Sequence, residues 1–155
     1  LAERAKQQLN FGMMVFTRWM MVMTNFERAL YADPEQDLNE LWWSLVERYQ
    51  EVKRPDGRNA PDWACKSHIA ESPVYYHNYM LGEMTASQIQ HYVEKQLGSD
   101  ALIRVPQTGQ WLTERLFHQG ALRPWNEALE FLTGEKLKPE YFVSEFVREC
   151  APATA

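Results

Sequence analysis

Apolar residues at Leu9, Met13, Phe16, Met20 and Met23 recur every three or four positions, which predicts one buried face of a helix from Ala2 to about Tyr31. No proline interrupts this stretch and only Gly12 weakens it. Within it, "FGMMVFTRWMMVM", residues 11 to 23, is apolar nearly all round. A helix of that kind has to be covered on most sides, either by neighbouring helices of the same chain or by a partner. It is too short and too interrupted to span a bilayer, which takes roughly 20 apolar residues.

In "ADPEQDLNELWWSLVERYQ", Asp33 is placed to cap a helix with Pro34 at its first position and Gln36 in capping-box register. Leu38, Leu41, Trp42, Leu45 and Tyr49 form the stripe it would bury. "EVKRPDGRNAPDWACK" has two prolines, a glycine and no periodicity, so a long surface connection follows. Loops of this length in compact domains are often functional. Ser72 and Pro73 then read as cap and first turn of a helix ending near Leu97, where Gly98 supplies a left-handed stop. Thr108 reads as the cap of "GQWLTERLFHQ", closed by Gly120. Pro124 starts "PWNEALEFLT", closed by Gly134, and Pro139 starts "PEYFVSEFVREC". No segment alternates with a strand period, so the expectation is one all-α domain of about six helices without internal repeats.

The chain has 155 residues, 45% of them hydrophobic and 24% charged, enough to bury a core without disulfides or metal. A net charge of −5 and the absence of a long basic run argue against a nucleic-acid surface. Cys65 and Cys150 are too few for a disulfide framework. The opening "LAERAKQQLN" has neither an initiator methionine nor the order of a signal peptide, and reads as the start of a fragment or processed chain.

His68, His77, His91 and His118 include no pair four apart with a glutamate after the first, the arrangement that aims two imidazoles at one zinc. Cys65 and His68 are three apart, but nothing nearby completes a tetrahedral set. There is no phosphate-binding glycine loop and no nucleophile elbow. What stands out is "SHIAESPVYYHNYM", residues 67 to 80, in which Tyr79 is a helical neighbour of both Tyr75 and Tyr76, with Lys66 and His68 just ahead. An ammonium and phenols suit a carboxylate, and neutral donors suit a developing oxyanion. Tyrosines packed by their rings beside solvated loop residues account for the same spacing.

The order of the blocks "LNFGMMVFTRW", "NELWWSLVERYQ", "KSHI" leading into "PVYYHNYMLGE", "TGQWL" and "ALRPWNEALEFLTGE" resembles the angiotensin-converting-enzyme-like (peptidyl-dipeptidase A) family of zinc metallopeptidases, from about Leu9 to Phe146. The "YYHNYMLGE" block is also similar to the thimet-type oligopeptidases. The resemblance implies the carboxy-terminal part of a larger helical gluzincin-type peptidase. It gives Lys66 and Tyr76 the grip on a substrate's terminal carboxylate, with Tyr75 as the other candidate because of one extra residue after His68. The same resemblance implies that His68 and Tyr79 face the oxyanion as the catalytic pair. Zinc and the glutamate that activates water would belong to the full-length enzyme, on an HExxH helix and a later glutamate that this chain lacks.

The partners implied are a peptide substrate and the N-terminal part of the same enzyme, with the isolated chain inactive. Val46 and Asn78 stand where animal members have chloride-holding arginines, and a cysteine pair is missing, features that look bacterial and argue against chloride activation. A periplasmic or exported location follows from the resemblance alone. The alternative from another class is a helical peptide- or protein-binding module without catalysis.

Overall fold

The computed structural model describes residues 2–98 and 105–147, and among them are seven α-helices and no strand. The all-α expectation holds. The chain divides between Leu81 and Gly82 into two compact units.

In the first unit, α1 (Ala2–Ala32) packs along α2 (Leu38–Gln50). The predicted stripe of α1 is buried at Met20 and Met23 and joined by Val22 and Phe26, while Leu9 is 71% exposed. On α2 the deepest residues are Trp42 and Val46, with Leu38, Leu41, Trp43, Leu45 and Tyr49 half-buried around them. Edge-on ring contacts of Trp42 with Trp19 (5.7 Å) and Phe26 (5.2 Å) tie the two helices, the geometry that aligns a ring's positive edge with a neighbour's negative face.

The start of α2 differs from the sequence expectation. Its cap is Asp37, whose carboxylate accepts from Glu40 N at 2.9 Å. Asp33 instead accepts from Glu35 N, and the Gln36 amide donates to the carbonyls of Ala29 and Asp33, closing the end of α1. Two aspartates four apart both suit a cap, and the second precedes the apolar stripe directly.

Residues 51 to 61 form the expected loop, followed by a 3₁₀ turn (Asp62–Cys65) and the single turn α3 (Ser67–Ala70). Side chains give the loop its shape: Arg54 bonds Glu40 (2.7 Å) and the carbonyl of Arg58 (2.5 Å), and Arg58 forks onto Asp62. The Arg58 bond holds the Asp62 carboxyl below its ordinary range.

α4 (His77–Leu97) starts four residues later than expected, because Pro73 and Val74 form a turn with Val74 in the left-handed region (φ 56°). Its end agrees with expectation: Gly98 adopts φ 101° and donates to the Glu94 carbonyl.

The second unit holds α5 (Gln107–Arg115), a 3₁₀ turn (Phe117–Gln119), α6 (Trp125–Thr133) and α7 (Pro139–Phe146). Thr108 lies inside α5 and is buried, with Pro106 at the cap position, so its expected capping role is not observed. Gly134 ends α6 in the left-handed conformation and Pro139 opens α7 as expected. The remainder of the expected last helix, with Cys150, lies outside the described residues. Gln88, fully buried on α4, donates to Thr133 and the carbonyls of Glu135 and Lys136, and accepts from Lys138 N. One side chain thereby satisfies the turn between α6 and α7.

Candidate functional site

The first unit brings together the residues that the tyrosine block singles out. The turns before α4 set their directions: Asn78 N donates to the Tyr75 carbonyl and Tyr79 N to that of Tyr76, so the backbone already follows a helical path at the tyrosine pair. Tyr79 therefore lies one turn on from both, with ring separations of 5.7 Å to Tyr75 and 5.0 Å to Tyr76.

His68, on α3, fits against this group. Its Nε2 lies 3.0 Å from the Tyr79 hydroxyl, a hydrogen bond, and its ring meets Tyr76 edge-on at 4.8 Å. Phe16 of α1 closes on Tyr79 from another side, ring to ring at 6.1 Å. Tyr79 remains 37% exposed, so the polar pair faces outward from an aromatic backing.

Tyr76 and Tyr75 are adjacent in sequence and differ in surroundings. Tyr76 is buried at 8% exposure, whereas Tyr75 is 49% exposed and touches Tyr79 alone among the described ring pairs. Burial pushes the Tyr76 phenol above its ordinary value, partly offset by a hydrogen bond with the Trp19 indole. The group stays a neutral donor over the range in which peptides are handled.

Lys66 meets the same tryptophan. Its ammonium stands 5.3 Å from the Trp19 ring centre and 5.8 Å from that of Trp42, a double cation–π seat. Beside Lys66 opens a cleft of about 690 Å³ lined by Trp19, Trp42, Trp43, Val52 and Arg58 among others.

The metal implied by the resemblance finds no fit here. No three His, Cys, Asp or Glu groups gather among the described residues, as a zinc site requires. Cys65 and His68 do not point at a common centre, since the thiol donates to the Asp62 carbonyl and the imidazole faces Tyr79.

Trp19 and Glu27 were not among the residues singled out from sequence. Both lie in the long apolar helix, where a tryptophan reads as core and a lone glutamate as solvated face. Glu27 is buried at 7% exposure, and its carboxyl oxygen accepts from Val74 N, just ahead of the tyrosine pair.

No curated protein and no solved structure matches the chain. A family model does: Carboxypeptidase Taq (M32) metallopeptidase, over residues 13–149. The match corrects the resemblance drawn from the block order, which pointed to the peptidyl-dipeptidase A family. Those blocks encode helix packing and a cluster of polar side chains, and none encodes how many residues a peptidase removes. Covering all but the two ends, the match places the chain in the Carboxypeptidase Taq (M32) family of zinc metallopeptidases.

Proposed function

We propose that this chain forms the substrate-gripping, oxyanion-facing side of a zinc peptidase acting at the carboxyl end of peptides, with the metal-holding helix supplied by protein outside these 155 residues. The observation that carries the reading is the His68 Nε2 and Tyr79 hydroxyl pair, 3.0 Å apart and facing outward. Two hydrogen-bonding groups held that close can both turn toward one oxygen as it gains charge, the arrangement that favours a transition state over bound substrate.

Lys66 and Tyr76 take the terminal carboxylate. An ammonium seated on two indole faces is partly desolvated and bonds an anion more strongly than a free lysine would. Tyr76 fits this role better than Tyr75, because its ring packs against His68 at 4.8 Å while Tyr75 meets Tyr79 alone among the described ring pairs. The family description favours release of single residues over the dipeptides that the block resemblance implies, and the mass of the released product decides between them.

The direct test is Lys66→Ala in the enzyme that contains this chain, assayed on matched peptides with free and amidated carboxyl ends. Losing a charge-assisted bond of about 1.5–3 kcal/mol lowers kcat/KM roughly 10- to 100-fold on free peptides and leaves amidated ones unchanged. Equal losses on both remove Lys66 from the carboxylate site. A non-catalytic peptide-binding module is the reading favoured by the tryptophan-lined cleft taken alone. It requires peptide binding without turnover by the whole protein.

A further inference from the structure

Val74 is a β-branched residue at φ 56°, a conformation that costs little for glycine and much for valine. Its side chain is 61% exposed, so no core packing selects that conformation. What is held is the backbone: Val74 N donates to the carboxyl of Glu27, a buried residue on α1 flanked by the core residue Phe26. Among the described residues Glu27 makes no ion pair, so that carboxyl is used on the turn.

Glu27 and Phe16 are eleven residues apart on α1, about three helical turns and 16 Å along nearly one face. Phe16 meets the Tyr79 ring at 6.1 Å and Glu27 bonds the amide two residues before Tyr76. One helix therefore grips the tyrosine segment at two points, with the strained residue between the segment and its anchor.

We propose that Glu27 is a positioning residue for the catalytic pair: its carboxyl pins Val74 in the left-handed conformation, which aims Tyr76 and Tyr79 at His68. This rests on the oxyanion role given to His68 and Tyr79. Strain maintained by surrounding structure is characteristic of sites where geometry has to be held.

The test uses the 155-residue chain and proton NMR contacts between the His68 and Tyr79 rings, with the Phe26–Trp42 contact as the measure of an intact core. Glu27→Met keeps the stem's volume and deletes the acceptor, and loss of the His68–Tyr79 contact with the core intact is expected. Glu27→Gln retains a carbonyl acceptor and should retain the contact. Adding Val74→Gly to Glu27→Met should restore it, since glycine adopts positive φ without a pin.

A contact that survives in Glu27→Met overturns the proposal, as does one that Val74→Gly fails to restore. Unfolding of Glu27→Met that Val74→Gly reverses supports the pin, and unfolding in both variants makes Glu27 a core residue and overturns it. Failure of the functional reading is separate. If Tyr79→Phe left turnover by the whole enzyme untouched, the oxyanion role would fall while the NMR result for Glu27 stood.

Discussion

Tyr79 and Tyr75 carry the same hydroxyl one helical turn apart, yet Tyr79 alone meets His68. On the oxyanion role proposed for it, Tyr79→Phe in the whole enzyme should lower kcat by ~10²–10³ with little change in KM, because the lost bond would form chiefly in the transition state. A raised KM with kcat unchanged would make Tyr79 a substrate-binding group instead. The grouping of His68, Tyr76 and Tyr79 was legible because helical spacing alone brings the tyrosines together, and a short loop leaves His68 little room elsewhere. Glu27 was not legible. It meets Val74 across 47 residues, and no local pattern marks an acid on a helix as buried when its partner is a backbone amide.

Helices were legible as elements, but the starts of α2, α4 and α5 were not. Capping chemistry is local and redundant, so Asp33 and Asp37 compete, and the pin at Val74 delays α4 past its proline. The GEKLKPEY turn has a comparable hidden anchor, Glu135, which accepts from Lys138, Tyr141 and Tyr92. These bonds, the Lys138 one first, depress its carboxyl from 4.5 to about 2. A depressed acid stabilises the fold above its unfolded value and ceases to do so as pH falls through its folded one. The thermal midpoint of wild type should therefore exceed that of Glu135→Gln near neutrality, with the gap closing between pH 4.5 and about 2. A gap that stays constant over that window would show that the charge on Glu135 contributes nothing.

For the whole molecule, the sequence predicts a helix needing cover on most sides, and the first unit covers only part of it. Met20, Val22, Met23 and Phe26 are buried, whereas Leu9, Phe11, Val15 and Met21 are 71%, 63%, 43% and 42% exposed. Periodicity shows that an apolar face wants a neighbour and carries no information on whose surface that is. We expect the remainder of the enzyme to cover it. The chain alone should then bind a hydrophobic dye and associate as its concentration rises, as exposed apolar patches do. Phe11→Lys with Val15→Lys, one turn apart on that flank, should weaken both effects without changing helix content, since neither side chain belongs to the core. A chain that stays monomeric and dye-free at high concentration would instead be self-contained. That outcome would favour the binding module, because a peptidase half should not be content without the half that carries its metal.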